Sequence, residues 1–222
     1  MDKSADPLTN KIQQQIEHFD RIADRYYDAR NQRNHLLLKD LMWRDFLVNK
    51  AFLRRDGLRT LEAMCGFCDG KYILERHLKI TIDYTAFDYS SAVIERLQAS
   101  RPELNVFRGN VTEFCCDEKF DLIILLGGLH HVPDHAKTSV RKLAASLLPG
   151  GYFLSLEPTH GNPIFKRVRE HIYNRNSLFD EETERAFSVE GLKALFTNAG
   201  LILTDISFPG LLSYILYYNP DA

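Results

Sequence analysis

The amino-acid sequence predicts an α/β fold built on a doubly wound, mainly parallel sheet. From residue 57 onward, strand-like apolar segments alternate with segments of helical periodicity. Such alternation is typical of parallel strands joined by crossover helices. Phe120–Leu126, FDLIILL, is the most apolar segment and suits a strand that is covered on both faces. Before residue 57 the pattern is helical only, so we expect a separate helical segment there.

Two N-terminal helices are predicted from apolar residues that recur at helical spacing. In residues 10–27 these residues, Phe19 among them, fall on one face. A second helix is expected from about Asn34 to Phe52, and the Asp56-Gly57 turn ends it. We therefore expect residues 1–56 to form a helical cap or lid over a domain of residues 57–222.

The later strands and helices are separated by turn and capping residues. Neighbouring segments are interrupted by turn residues at Gly57, Pro102 and Pro149-Gly150-Gly151. Ser188 is expected to cap the last helix and Gly200 to end it. In chain order the predicted elements are strand Leu58–Met64, helix Lys71–Leu78, strand Ile82–Phe87, helix Ser91–Ala99, strand Leu104–Arg108, strand Phe120–Leu126, a helix from Ala136 to Leu147, strand Tyr152–Leu156 and a helix from Ser188 to Gly200.

The C-terminal part of the chain predicts a hairpin. Leu201–Phe208 and Leu212–Tyr218 are expected to be strands joined at Pro209-Gly210. They would bring the sheet to seven strands and make the last strand antiparallel. The long interlude at about 158–187, which follows Glu157, is expected to cover a substrate.

Composition excludes several classes of function. The chain has 222 residues, 45% of them hydrophobic, which is enough for one sizeable core. Its formal net charge is -2 and no long basic run occurs, so no broad attraction to nucleic acid is expected. No apolar run approaches the roughly 20 residues that cross a bilayer, and the N-terminus is polar. We expect a cytoplasmic protein without stable membrane insertion, whose four cysteines are reduced.

Ligands of such sheets bind at the carboxyl ends of the strands, where the strand order reverses. The first such end carries LEAMCGFCDG, in which Glu62 could receive an ammonium group. A helix N-terminus and Gly66 there permit close approach of a ligand. Cys65-x-x-Cys68 could instead be a metal or redox pair, but zinc would need two further ligands, and the adjacent Cys115-Cys116 has poor spacing for that. We therefore expect no metal site.

The next three strand ends also carry candidate binding residues. Asp88 closes the second strand, where an acid can accept both hydroxyls of a ribose. Asn110 can hydrogen-bond an adenine edge and Val111 can pack on its face. After the fourth strand, Gly127-Gly128 lets a ligand lie against the chain, and His130-His131 follows.

The order of these segments resembles the class I S-adenosylmethionine-dependent methyltransferase family, whose fold is Rossmann-like. The resemblance covers about residues 58–208 and includes the turn before the fifth strand, Leu148–Tyr152. Met64 and Cys68 stand where the family usually has glycine, and Asn110 where it usually has aspartate. The Met64 side chain can point away from the ligand if its backbone keeps a negative φ.

The resemblance implies S-adenosylmethionine as cofactor. His130 and His131 are candidate proton acceptors, although they could simply cap the next helix. Tyr27 is a candidate lid residue with a catalytic contact, although core packing would also explain it. Asp88 and Asn110 have turn-forming alternatives. The residues expected to bind the cofactor are Tyr27, Glu62, Ala63, Met64, Cys65, Gly66, Asp88, Tyr89, Asn110, Val111 and Gly127.

The predicted activity is methyl transfer to an N or O atom of a small-molecule acceptor. The N-terminal helices and residues 158–187 would form the acceptor pocket. A catalytically silent binding or scaffold subunit is the alternative from a different class. Nucleic-acid methylation is disfavoured, because Gly127-Gly128-Leu129-His130 replaces the Asn-Pro-Pro-Tyr type of motif. A homodimer is a further candidate assembly.

Overall fold

A five-stranded parallel sheet forms the centre of the structure, a computed structural model that describes residues 7–159, 167 and 186–209. The strand order is β3-β2-β1-β4-β5, and each neighbouring pair is parallel. The chain therefore moves outward from β1 to β3 and returns to the other side of β1 with β4. The strands are β1 Leu58–Ala63, β2 Ile82–Asp88, β3 Asn105–Arg108, β4 Phe120–Leu126 and β5 Leu147–Leu156.

Helices precede the sheet and connect its strands. Ser90 caps α4 by accepting a hydrogen bond from the Val93 amide at 3.2 Å, and Ser188 caps α6 by accepting one from the Gly191 amide at 3.0 Å. The helices of the described residues are α1 Pro7–Arg30, α2 Arg33–Leu47, α3 Asp69–Leu78, α4 Ser91–Ser100, α5 Ala136–Ala145 and α6 Val189–Thr197, and Ala51–Leu53 and Leu129–His131 form short 3-10 helices.

The strand β4 is buried on both faces, as its apolar sequence predicts. Leu122 and Ile124 belong to the core cluster that includes residues of α3 and α4. Ile123 and Leu125 belong to the opposite cluster, which includes residues of α5. All four side chains are fully buried. Because the strand alternates between two apolar layers, it needs apolar residues at consecutive positions.

The N-terminal helices contact the helices that follow β1 and β2. The Asp20 carboxylate of α1 accepts hydrogen bonds from the Ser90 hydroxyl and, at 3.3 Å, from the Ala92 amide at the start of α4. Lys39 of α2 donates to Asp69 at the start of α3 at 2.6 Å, and the Lys39 side chain is only 10% exposed. These polar contacts fix α1 and α2 near the carboxyl ends of β1 and β2.

The structure confirms the predicted α/β architecture with parallel strands. It differs at β5, which begins at Leu147 rather than Tyr152. The pairing shifts from Phe120↔Leu147 to Leu122↔Tyr152, so Pro149-Gly150-Gly151 forms an irregular insertion within the strand instead of a turn before it. Gly150, with a φ of 78°, permits that insertion.

Several predictions concern the C-terminal third of the chain. Residues 201–209 are not assigned to a strand, and Leu212–Tyr218 lies outside the described residues. The seven-stranded sheet with an antiparallel last strand therefore stays a prediction, as does the domain division at residue 57. The predicted insertion at 158–187 lies mostly outside the described residues, but Thr159 and Phe187 near its ends form an isolated parallel bridge. Within the described part of the chain, no helix has the length and apolarity that crossing a membrane requires.

Candidate functional site

A cleft opens at the carboxyl ends of β1, β2 and β4, where the strand order reverses. This is the place at which an open parallel sheet binds its ligands. Most of the residues predicted to bind or act on a ligand line it, namely Tyr27, Glu62, Met64, Cys65, Gly66, Asp88, Tyr89, Gly127, His130 and His131. Ala63, Asn110 and Val111 are not among the lining residues.

The loop after β1 has the backbone shape of a glycine-rich turn, although two of its positions are not glycine. Met64, Gly66 and Cys68 have φ angles of 53°, 49° and 63°. The expectation that Met64 could keep a negative φ is therefore wrong. A left-handed conformation costs a non-glycine residue roughly 1–2 kcal/mol. The surrounding packing must compensate for that cost, since Cys68 is fully buried and Cys65 only 5% exposed.

The Met64 side chain packs over Gly128 in the loop after β4. A Cβ atom added to Gly128 would lie 2.7 Å from the Met64 sulfur and 2.9 Å from its Cβ. Gly128 therefore makes room for the larger residue at position 64. The methionine fills part of the cleft between the two loops instead of pointing away from it.

Glu62 is a buried carboxylate that holds the start of α3. Its side chain accepts hydrogen bonds from the amides of Gly70 at 3.0 Å and Lys71 at 3.2 Å and from the Tyr84 hydroxyl at 2.6 Å. Burial raises the pKa of Glu62 to about 7, although these hydrogen bonds oppose the shift. The carboxylate thus has a structural role in shaping the loop, and its predicted contact with a ligand ammonium group stays a prediction.

Replacing Gly70 by alanine should destabilise the protein through a clash with Glu62. The added Cβ would lie 2.7 to 2.9 Å from the Glu62 carboxylate. We expect a loss of about 1–3 kcal/mol in the free energy of unfolding, measured by denaturant titration. In a Glu62→Ala background the same change should cost much less, because the clashing group is gone. Equal costs in the two backgrounds would contradict this explanation.

Asp88 connects the loop after β1 with the start of α4. It is 6% exposed, and its two oxygens accept hydrogen bonds from the Gly66 amide at 2.9 Å and the Ser90 amide at 3.0 Å. Burial raises the pKa of Asp88, while backbone hydrogen bonds, including one from Tyr89, oppose the shift. A carboxylate accepts about four hydrogen bonds, so capacity remains for a ligand hydroxyl. The predicted ribose contact is compatible with this arrangement.

Asn110 and Val111 occupy a turn and the core, respectively. The Asn110 side-chain oxygen accepts from the Thr112 amide and hydroxyl, both at 3.0 Å, which is the turn-forming alternative considered from the sequence. Val111 is 2% exposed and packs in the core cluster that contains Phe87. Their adenine contacts stay a prediction. Ala63, also predicted to bind the cofactor, is fully buried in the same cluster.

The three candidate catalytic residues lie in two parts of the cleft. His130 and His131 stack with ring centroids 3.9 Å apart, and His131 meets Phe19 of α1 edge to face at 4.9 Å. Tyr27 meets Phe67 of the β1 loop edge to face at 4.8 Å, and the Arg96 guanidinium lies 4.1 Å above its ring. Tyr27 is therefore partly buried against the core and contacts the loop after β1, and its role as a lid over the bound cofactor stays a prediction.

Glu157, directly after β5, is a functional candidate to which the sequence assigned no role. Its side chain is fully buried. It accepts hydrogen bonds from the amides of Gly128, Leu129 and His130, at 3.0, 2.8 and 3.3 Å, and lies 3.0 Å from the His130 Nδ1. Burial raises the pKa of Glu157 to about 7. The position of Glu157 in the sequence could have identified it as a candidate, because an acid directly after a parallel strand lies at the ligand-binding edge of the sheet.

The cysteines and acidic residues offer no metal centre among the residues described. Cys65 and Cys68 are free thiols. A hydrogen bond with Cys68 and burial raise the pKa of the Cys65 thiol well above its usual range, which disfavours the thiolate that binds metals. No group of three or more His, Cys, Asp or Glu side chains within the described ranges could hold a metal ion.

Comparison with known proteins identifies the type of domain. The model of a family described as a methyltransferase domain matches residues 60–151. A solved S-adenosylmethionine-dependent methyltransferase from Clostridium acetobutylicum is 14% identical with a TM-score of 0.59, over 82% of this chain and 89% of that chain. A complex of DhpI with SAM and HEP is 19% identical with a TM-score of 0.55, over 89% and 91% of the two chains.

A third similar structure is a complex of the Haloferax volcanii Trm112 methyltransferase activator with a methyltransferase. It is 17% identical to this chain with a TM-score of 0.59, over 86% of this chain and 83% of that one. A search of curated proteins found no match. At these identities the solved structures show a common fold.

Proposed function

We propose that this chain is a class I S-adenosylmethionine-dependent methyltransferase that transfers a methyl group to an N or O atom of a small-molecule acceptor, since the model of a methyltransferase domain matches residues 60–151. The observation that supports the proposal most is the 2.9 Å hydrogen bond from the Gly66 amide to Asp88. This hydrogen bond joins the turn after β1 to Asp88 at the end of β2. In such a fold these two places hold a nucleoside and its attached chain.

The residues of the cleft fit this cofactor. Gly66 and Gly127 have φ angles of 49° and 71° and no side chain, so the backbone can approach a ligand closely at these two positions. We assign the ribose to Asp88, the ammonium group to Glu62, the adenine to Asn110 and Val111 and the remaining contacts to the other predicted residues. The bound cofactor supplies a methyl group already activated on a positively charged sulfur. The protein therefore has chiefly to align the acceptor and exclude water.

The surroundings of the cleft suggest how an acceptor would be enclosed. Phe19, Tyr27 and Trp43 of α1 and α2 line the cleft. We therefore propose that residues 1–56 act as a cap, that Tyr27 is its lid residue, and that residues 158–187 complete the acceptor pocket. The same proposal includes the seven-stranded sheet with an antiparallel last strand, a cytoplasmic location and assembly as a homodimer.

Nucleic acid is not the acceptor in this proposal. The balanced composition, with a formal net charge of -2, gives no broad electrostatic attraction to nucleic acid. Retention on heparin at moderate salt would contradict this part of the proposal.

Calorimetric titration with S-adenosylmethionine and with its demethylated product is the direct test. We expect saturable binding of both in the micromolar range, because the loop after β1 is already in its glycine-like shape and little reordering is needed. Absence of heat from both ligands at millimolar concentration, with a protein that unfolds cooperatively, would remove the proposal.

A catalytically silent subunit is the second candidate, and Met64 is the observation that favours it. Its side chain fills space between the loops after β1 and β4, where a ligand would also approach. A Met64→Gly, Cys68→Gly double variant separates the two candidates. If wild type binds no cofactor and the variant gains affinity by orders of magnitude, the silent subunit is correct. If both bind with similar affinity, Met64 does not obstruct the site and the enzyme is supported.

A further inference from the structure

We propose that Glu157 is the positioning residue of His130, and that His130 removes the proton of the methyl acceptor. This inference rests on the proposed function and narrows its substrate class. It depends on a contact between β5 and the loop after β4 that neither segment predicts by itself. His130 lines the cleft, and Glu157 lines it directly behind that loop.

Glu157 closes the 3-10 helix Leu129–His131 at its N-terminal end. One carboxylate oxygen accepts from the amides of Gly128 and Leu129 at 3.0 and 2.8 Å. The other oxygen accepts from the His130 amide at 3.3 Å and lies 3.0 Å from its ring Nδ1. The side chain of Glu157 is completely buried and that of His130 is 13% exposed. The Glu157 carboxylate thus fixes both the backbone of Gly128–His130 and the His130 ring.

This arrangement determines which ring nitrogen carries the proton. Above the pKa of about 7 the Glu157 carboxyl is ionised and is only an acceptor, so the His130 Nδ1 must donate to it. In a neutral imidazole the other nitrogen, Nε2, is then the unprotonated base. A buried carboxylate behind the ring also stabilises the positive charge that appears when Nε2 gains a proton. The same relation of acid to imidazole is used when a histidine acts as a general base.

Glu157 and His131 are titratable neighbours of the His130 ring. The Glu157 carboxylate lies 3.0 Å from the ring Nδ1. The His131 ring stacks on that of His130 with centroids 3.9 Å apart and meets the ring of Phe19 from α1. The charge of His131 opposes the raised pKa of Asp88, at the end of β2, and also the raised pKa of Glu157. We assign the positioning role to Glu157 because its carboxylate lies within hydrogen-bond distance of the His130 Nδ1, at 3.0 Å.

A fixed base has a consequence for the acceptor. A hydroxyl passes its proton to Nε2 of His130 as its oxygen forms the bond to the methyl carbon. An ammonium group passes a proton to Nε2 first, which leaves on its nitrogen the electron pair that forms the bond. The electron pair of the broken carbon–sulfur bond stays on the sulfur of the demethylated product. Such a base is useful for a hydroxyl or an ammonium group, which must lose a proton, and is unnecessary for a thioether or a tertiary amine. We therefore infer a protic acceptor.

Nitrogen-detected NMR of the histidine rings tests the positioning directly, with neither cofactor nor acceptor present. At pH 8.5, above the pKa of about 7 for Glu157, wild type should show His130 protonated at Nδ1. A His130→Gln variant assigns the signal. In Glu157→Gln the amide presents an N–H donor to the ring, so His130 should change to the form protonated at Nε2. Glu113→Gln, at an exposed carboxylate, is the matched control and should leave the signal unchanged.

Two results would overturn the inference: a wild-type His130 protonated at Nε2, or a Glu157→Gln variant that keeps Nδ1 protonated. The wild-type spectrum decides even if the variant does not fold. Because no cofactor is present, an unexpected tautomer leaves the proposed methyl transfer standing. Failure of calorimetric binding would instead remove the proposed function and leave the measured tautomer intact.

Discussion

Replacing Asp88 by alanine should weaken binding of the demethylated cofactor by roughly 10- to 150-fold. A hydrogen bond to a charged group contributes about 1.5–3 kcal/mol, and about 3 kcal/mol corresponds to roughly a 150-fold change in affinity. The substitution also removes the acceptor of the Gly66 amide, at 2.9 Å, so the loop after β1 loses an anchor. Calorimetric titration of the variant with S-adenosylhomocysteine provides the measurement.

A matched control comes from the same strand. Asp83 in β2 is exposed and lies toward the opposite end of the strand, so Asp83→Ala should bind like wild type. Asp88→Asn keeps the size of the side chain and should lose less affinity than Asp88→Ala. An Asp88→Ala variant that unfolds like wild type and binds with unchanged affinity would show that the ribose is held elsewhere.

The sequence predicted the position of the cleft because that position depends on local signals. An apolar run identifies β4, and strand–helix alternation makes the sheet parallel. Together they place the reversal of strand order beside β1. Ser188 was recognised as a cap because a serine before a helical pattern is a local signal, and the structure shows its 3.0 Å hydrogen bond with the Gly191 amide.

The parts that the sequence could not predict depend on contacts between distant residues. Glu62 was interpreted as a ligand contact, but its partner Tyr84 is 22 residues away and comes to it only through the pairing of β1 with β2. Glu157 reaches the His130 ring across 27 residues because β4 and β5 are neighbours. Residue types alone do not reveal which buried acid will meet which donor.

The conformation of Met64 shows a second reason why the sequence could not predict the whole site. Intrinsic preference predicts a negative φ for methionine, and the structure has 53°. The loop after β1 has the backbone geometry of a glycine-rich turn. The conformational cost of the positive φ at Met64 is offset by the packing of the residues around it. Gly128 provides the space that Met64 takes up. The two positions therefore have to be interpreted together, although 64 residues separate them.

Stability should fall as the pH rises from about 5 to 8, because Glu62 is buried. Its pKa is raised from 4.5 in the unfolded chain to about 7 in the folded protein. Between these values the folded protein keeps a proton that the unfolded chain has released, so folding is favoured at the lower pH. This stabilisation is complete below pH 4.5 and is lost as the pH passes 7. For a shift of this size it amounts to about 3 kcal/mol.

Denaturant unfolding at a series of pH values measures this contribution when wild type is compared with Glu62→Gln, whose amide does not titrate. Between pH 5 and 8, wild type should lose about 2 kcal/mol more unfolding free energy than the variant. Glu157 has a similarly raised pKa of about 7 and remains in both proteins, so the variant should keep part of the pH dependence. Glu103→Gln, at an exposed carboxylate, should follow wild type. Parallel curves for wild type and Glu62→Gln would mean that the three donors of Glu62 fully offset its desolvation.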